Sequence, residues 1–409
     1  LKKRILFLMS DTGGGHRAAA EALREALYIR YGKSAVSVEL VDVFRDYSPP
    51  PLKYMPEFYP WWINRSKGSW GAGYNLSNTK RRARLLSDTV YMTIGKQLRQ
   101  MFREHPADVV VSVHSVLTRP SARAMAYLPQ RPPLMVVVTD LVSTHHFWYD
   151  KTVERCLVPT QEAYERGLSA GLKPDQLRIT GLPVHPDFVQ GLTSQAEARA
   201  TLGWDSERPA ILMVGGGEGM GHIYETARAI NAQNLDCQLH IIAGRNQQLK
   251  QQIETSDWNM PVKAYGFRTD MPVFMAATDI LITKAGPATI TEACIAGVPM
   301  ILYDAIPGQE TGNVEFVVRN DAGVFAPDPQ NAANTLKQWL SEGKEGLMQR
   351  SERAKRLGRP NAVFDIADEV WNYANHGPIP MGPRNLWNEI TDLTKEWTDD
   401  LRVANSPSK

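Results

Sequence analysis

The stretch Arg4-Ile5-Leu6-Phe7-Leu8-Met9-Ser10-Asp11-Thr12-Gly13-Gly14-Gly15-His16-Arg17 decides the fold. An apolar run of strand length, Ile5–Met9, breaks into three consecutive glycines and then into a segment of helical spacing from about Arg17 to Arg30. Three glycines let the backbone turn tightly and approach a ligand closely. A helix starting there presents unpaired N–H groups and a partial positive charge. The beginning is basic and then apolar, as signal peptides are, but the apolar run is short and opens into the glycine loop, so it reads as a first buried strand. Gly13, Gly15 and Ala18, with Glu39 or Asp42 downstream, also satisfy a loose dinucleotide fingerprint. A plain strand-to-helix turn is the third reading.

Outward from this corner the alternation continues. Strand-length apolar runs at Val36–Val43, Val109–Val113, Leu134–Val138 and Cys156–Val158 are separated by helix-length segments, the signature of a parallel sheet wrapped by crossover helices. A second series follows Gly181-Leu182-Pro183, with strands expected at Ile211–Val214, Leu239–Ala243, Val262–Tyr265, Ile280–Thr283 and Met300–Tyr303. The chain of 409 residues is too long for one ordinary core, and two α/β domains are expected, over residues 1–190 and 191–376, with a cleft between them as the ligand site. Hydrophobic residues make up 43% and charged residues 22%, enough for two real cores. The net charge of +2 argues against a nucleic-acid binder, which needs a broad excess of Lys and Arg. Cys156, Cys237 and Cys294 form no CxxC pair, which suggests neither a disulfide framework nor a cysteine-built zinc site and fits a reducing compartment. His145-His146 has no companion ligand pattern, so no metal is expected.

The second domain opens with its own glycine corner, Gly215-Gly216-Gly217-Glu218-Gly219-Met220-Gly221, whose spacing fits neither GxGxxG nor a Walker loop. The densest signal is Ile282-Thr283-Lys284-Ala285-Gly286-Pro287-Ala288-Thr289-Ile290-Thr291-Glu292-Ala293. A strand ends, a Gly-Pro corner starts a helix, and Pro287 falls where its missing N–H costs nothing. A diphosphate fits at that helix start. Glu292, one turn on, is spaced to receive a ribose hydroxyl pair, or else complements the helix dipole as a capping residue. Ala305-Ile306-Pro307-Gly308-Gln309-Glu310-Thr311-Gly312-Asn313 clusters donors and acceptors suited to sugar hydroxyls, or forms an ordinary polar helix start. His16, at the end of the first glycine loop, has the chemistry of a general base near neutral pH. Asp140 is read either as orienting a neighbouring His or as a loop cap.

Residues 47–80, rich in Pro, Trp and Tyr, read as an irregular aromatic insert rather than a core helix. Its Trp61-Trp62 pair, followed by Arg81, Arg82 and Arg84, combines interfacial aromatics with a cationic cluster, which suits an anionic membrane surface; a solvated basic helix face beside a packed lid is the alternative. No run of about 18 apolar residues occurs, so membrane contact is expected to be peripheral. Beyond about Gly377 a linker leads to Leu386, Trp387, Ile390, Leu393, Trp397 and Leu401, spaced as an amphipathic helix.

Taken in order, SDTGGGHR, SVH (Ser112–His114), VTDLVSTHHFW, GLPVHPDFV, GGGEGMG, GRN (Gly244–Asn246), YGF, ITKAGPATITEA and GQETGN closely resemble the monogalactosyldiacylglycerol synthases of plants and photosynthetic bacteria, over roughly residues 4–375. These belong to a wider group with the processive diacylglycerol glucosyltransferases and the muramyl-peptide GlcNAc transferase. The resemblance implies a GT-B fold of two Rossmann-like domains and inverting transfer of a hexose from a UDP-sugar to the sn-3 hydroxyl of 1,2-diacylglycerol. Galactose is the expected hexose and glucose the alternative; a peptidoglycan-precursor acceptor and a non-catalytic nucleotide-binding module are the remaining readings. It places His16, with Gly14 and Gly15, on the acceptor side as base. Gly217, Glu218, Arg245, Phe267, Lys284, Gly286, Pro287, Ala288, Thr289 and Glu292 are placed at the UDP, and Gln309, Glu310 and Asn313 at the hexose. No cofactor is implied, and the enzyme would sit on the cytoplasmic face of a membrane, with UDP-hexose, diacylglycerol and anionic lipid as partners. Ala288 stands where the plant enzymes usually carry Gly, and Ser115–Arg119 also depart from them.

Overall fold

The computed structural model describes residues 2–12, 15–219 and 221–380. The expectations for Gly14 and for the helix at Leu386–Leu401 therefore lie outside the described residues. The first half carries strands β1 (Lys3–Met9), β2 (Val36–Asp42), β3 (Val109–Ser112), the two-residue β4 (Gln130–Arg131), β5 (Leu134–Val137), β6 (Arg155–Val158) and β7 (Leu177–Ile179). The second carries β8 (Ala210–Val214), β9 (Gln238–Ile242), β10 (Val262–Tyr265), β11 (Ile280–Lys284), β12 (Met300–Asp304), β13 (Gly323–Phe325) and a short β14 (Ile379–Pro380). They form two six-stranded sheets, ordered β2-β1-β3-β5-β6-β7 and β10-β9-β8-β11-β12-β13, with β4 and β14 paired separately. Within both large sheets the pairing is parallel; Phe7, for example, lies between Leu40 of β2 and Val111 of β3. Sheets covered by helices on both faces demand continuous apolar strands, which is why Ile5–Met9 and Ala210–Met213 are buried without alternation.

In each sheet the strand order reverses once, between β1 and β3 and between β8 and β11. Strand C-termini diverge at such a point and leave a crevice. The helix Gly15–Tyr31 that follows β1 starts at one of these crevices, and the glycine corner after β8, at Gly215–Gly219, stands at the other.

Two expectations need revision. Residues 47–80 are not irregular: they hold helices Met55–Arg65 and Lys67–Ser77, with Pro56 in the first turn where it forfeits no bond. Their aromatic content is tolerated because neither helix is enclosed on all sides; Phe58 and Trp61 face outward while Tyr74 is buried. The helix Ala362–Asn375, read with the second domain, lays Val363, Ile366, Ala367 and Val370 among Phe7, Leu23 and Leu27 of the first. The chain thus crosses between the halves twice, near 180 and near 360. The crossings touch: a side-chain carbon at Gly181, whose φ is +98°, would come within 2.9 Å of Arg359 and 3.0 Å of Ala362. Short edge strands β7 and β13 were also not anticipated.

Candidate active site

His16 is the second residue of the helix Gly15–Tyr31 and turns its ring toward the end of β3. Its Nδ1 lies 2.8 Å from the Val113 carbonyl oxygen and 3.0 Å from the Thr139 hydroxyl. A carbonyl only accepts, so Nδ1 carries the proton and Nε2 keeps a free lone pair. Burial lowers the pKa to about 4, which keeps the ring neutral at physiological pH. His114 packs against it at 4.4 Å between centroids, with its Nε2 2.8 Å from the Thr12 hydroxyl, and burial holds its pKa well below 6.5. Asp140, just past β5, accepts from the Trp148 indole N–H at 2.7 Å. Burial pushes its pKa up to about 6 against that hydrogen bond, with the nearby Glu310 charge adding to the rise. Asp140 thus anchors Trp148, whose ring lies 6.1 Å from that of His16. His145 is engaged with Ser77 and the Phe147 amide.

Across the crevice, five loops at the C-terminal ends of β8 to β12 converge. Gly217 and Gly244 come so close that a side-chain carbon on Gly244, at φ +61°, would lie 2.3 Å from the Gly217 carbonyl oxygen. Only glycine fits there. The Arg245 guanidinium pairs with Glu218 at 2.7 Å and lies over the half-exposed Phe267 ring at 4.3 Å. The helix Pro287–Ala296 starts at Gly286 with no side chain capping it, and Ala288 is exposed in its first turn, next to Thr289. Its first N–H groups are open to an anion. Lys284 stands beside them and pairs with Glu310 at 3.2 Å. Glu292 makes no side-chain hydrogen bond among the described residues, and burial alone raises its pKa to about 7.

The halves meet at 140–143 and 304–313. Asn313 donates to the Ala285 carbonyl at 3.0 Å and accepts from the Val142 amide at 3.2 Å, so its amide is spent tying the halves together. Glu310, fully buried, accepts from the Ile306 amide at 2.9 Å and from Lys284. Gln309 alone of the three is held by the aromatic insert, through Tyr59 and Trp70. These insert contacts, with His114 and Trp148, are site neighbours to which the sequence assigned no role; the strings SVH, ending in His114, and VTDLVSTHHFW, ending in Trp148, were their only signals.

The expected membrane residues separate. Trp61 is 56% exposed beside Tyr54 and Phe58, whereas Trp62 turns toward Trp70, edge-on at 5.3 Å. Arg81 and Arg82 are exposed at the start of the helix Lys80–Glu104, while Arg84 lines a pocket with Lys80, Arg119, Asp150 and Lys151. Among the described residues, seven of the thirteen exposed large apolar side chains fall between Tyr54 and Met92. No described helix is long and apolar enough to cross a membrane.

Two family models match: monogalactosyldiacylglycerol synthase over residues 16–184 and the glycosyltransferase family 28 C-terminal domain over 210–370. A probable monogalactosyldiacylglycerol synthase 2 from Oryza sativa subsp. japonica is 40% identical over 90% of this chain and 80% of its own length. Monogalactosyldiacylglycerol synthase 3 from Arabidopsis thaliana is 38% identical over 90% of this chain and 81% of its own. In fold, the chain is similar to Acinetobacter baumannii MurG, with a TM-score of 0.60 and 15% identity over 90% of this chain and 99% of that one. A UDP-GlcNAc 2-epimerase from Neisseria meningitidis aligns at 0.59 and 13% identity, over 90% and 99%. Both share the GT-B architecture of two parallel-sheet domains.

Proposed function

Since the chain belongs to the monogalactosyldiacylglycerol synthase family, we propose that it transfers galactose from UDP-galactose to the sn-3 hydroxyl of 1,2-diacylglycerol with inversion. The observation that carries the mechanism is His16: a neutral imidazole whose Nδ1–H is fixed on Val113, leaving Nε2 as the base. The diacylglycerol hydroxyl gives its proton to Nε2 as its oxygen bonds to C1 of the hexose, and the bond from C1 to the UDP oxygen breaks with its electron pair. The departing diphosphate gains charge. It goes to the uncapped N–H groups of Ala288 and Thr289 in the first turn after Gly286 and to Lys284, which is where such charge is best stabilised. Pro287 presets the backbone of that helix start.

The carboxyl of Glu292, without a side-chain hydrogen bond among the described residues, suits the ribose hydroxyls, and Phe267 with Arg245 across its face suits the uracil. Gln309 takes the hexose. Glu310 and Asn313 act behind it, one steadying Lys284 and the other fixing the two halves. Docking on an anionic lipid surface is supported by the apolar side chains from Tyr54 to Met92 and the exposed Arg81 and Arg82. The cation-lined pocket at Lys80, Arg84 and Lys151 suits an anionic headgroup.

The test is to present diacylglycerol in phosphatidylglycerol-containing vesicles with UDP-galactose or UDP-glucose separately and to identify the glycolipid and its anomeric configuration. A β-galactolipid from the first donor is the expected product. A glucolipid alone would replace galactose by glucose; an α-linked product would remove the single-displacement mechanism.

A further inference from the structure

The insert helices grip one short loop of the opposite half. Lys67 forms an ion pair with Asp304, a side-chain carbon at Gly71 would come within 2.7 Å of Pro307, and Gly308 packs on Tyr74 and Asn75. At the centre of that grip lies Gln309. Its Oε1 accepts from the Tyr59 hydroxyl at 3.1 Å and from the Trp70 indole nitrogen at 3.2 Å. An indole N–H only donates, so the atom it meets must be the amide oxygen, and the end of Gln309 that faces away must be the NH2. Among the described residues that NH2 has no hydrogen-bond partner in the protein.

We propose that Tyr59 and Trp70 are positioning residues for donor recognition: by holding the Gln309 oxygen they present its NH2 as a fixed two-hydrogen donor to the hexose hydroxyls. The assignment rests on the reading of Gln309 as a hexose contact. Turning the amide over would set two donors against each other at Trp70. Burial also holds the Tyr59 phenol protonated, so that it stays a donor. The rings support one another, Tyr59 and Trp70 edge-on at 4.9 Å and Trp62 behind Trp70, with the Trp62 N–H on Ser69 at 2.9 Å. The insert thus reads the sugar without touching it.

Tyr59→Phe and Trp70→Phe remove one donor each and leave an aromatic ring at both positions. The double variant is expected to raise KM for UDP-galactose about five- to tenfold, the factor for roughly one net hydrogen bond, with kcat within about twofold. The ratio of kcat/KM for UDP-galactose over UDP-glucose should fall toward one, and the melting temperature should stay unchanged. Gln309→Ala should raise KM at least as much, and adding the two Phe substitutions to it should change nothing further. Gln309→Glu, which can still accept from Tyr59 and Trp70 but cannot donate, should behave like Gln309→Ala. If the double Phe variant keeps its KM and donor preference while Gln309→Ala loses them, the positioning role is overturned and the hexose contact stands. If Gln309→Ala itself changes neither, the hexose contact fails and the proposal with it.

Discussion

Glu292 makes donor binding depend on pH in a way that can be calculated. Burial of its carboxyl, which has no hydrogen-bond partner among the described residues, pushes its pKa up to about 7 in the free protein. Ribose hydroxyls donating to it favour the ionised form, so UDP-hexose binds the carboxylate and releases a proton from the acid. The apparent dissociation constant then scales as one plus the ratio of acid to carboxylate. Against its high-pH limit it should be about elevenfold weaker at pH 6 and about twofold weaker at pH 7, with little loss at pH 8. UDP-hexose is the proper probe, because its diphosphate is esterified at both ends and carries no group that titrates there, unlike UDP. Calorimetric titrations without acceptor, from pH 6 to 8.5 in two buffers, would give both the affinity and the proton release, and Glu292→Gln should bind the donor independently of pH. In Glu292→Ala the affinity at pH 8 should fall by one to two orders of magnitude, since hydrogen bonds to a charged group are worth about 1.5–3 kcal/mol. A flat wild-type profile, or the same slope in the Gln variant, would refute the argument and return Glu292 to a helix-capping role. The sign for stability is opposite: a carboxyl whose folded pKa lies above its unfolded value destabilises the unliganded fold as pH rises from about 4.5 to 7.

Three further outcomes are expected. His16→Ala should lower turnover by about 10²- to 10⁴-fold while UDP-hexose affinity is retained, and ordinary turnover in that variant would remove His16 from the mechanism. Arg119 pairs with Asp88 at 2.8 Å and Asp150 at 2.9 Å in a buried cluster, so Arg119→Met should cost about 3–5 kcal/mol in urea unfolding of the first half near pH 7. Burial would raise the Asp150 pKa, but Arg119 and Thr152 outweigh it and hold it below 3.8, so the wild type keeps this contribution until the pH falls below about 4, and the gap to the variant should narrow in acid; a gap independent of pH would count against the assignment. Arg81→Gln with Arg82→Gln should weaken binding to phosphatidylglycerol vesicles about thirtyfold at low salt, and Phe58→Ala with Trp61→Ala should weaken it at all salts, with donor affinity untouched in both; vesicle binding equal to the parent's would move the docking surface elsewhere.

What could be read in advance follows from range. The inner strands of both sheets were legible because each is buried on two sides and so spells a continuous apolar run, whereas the short, half-exposed edge strands β7 and β13 spell none; the Gly286-Pro287 corner was legible because a helix start has local chemistry. The helices Met55–Arg65 and Lys67–Ser77 were not, since what holds them is remote: Lys67 on Asp304, Gly71 on Pro307, and Tyr59 and Trp70 on Gln309, more than 200 positions away. Asn313 looked like a sugar reader because residue type announces hydrogen-bonding capacity but not how it is spent, and the Ala285 carbonyl and Val142 amide that occupy it belong to two different loops. Ala362–Asn375 has an obvious apolar face, but an apolar face does not name its partner.

That last helix changes how the molecule can move. Two covalent connections pass side by side between the halves, one at Gly181 and the other at Arg359–Ala362, and they are in contact. A body joined to another by a single tether can swivel; a body joined at two neighbouring points behaves as a door hung on two pins. Two neighbouring pins oppose a twist that would slide the base past the donor loops, and position 181 has to be a glycine for the pins to lie side by side, since any other residue would press its Cβ onto Arg359 and Ala362.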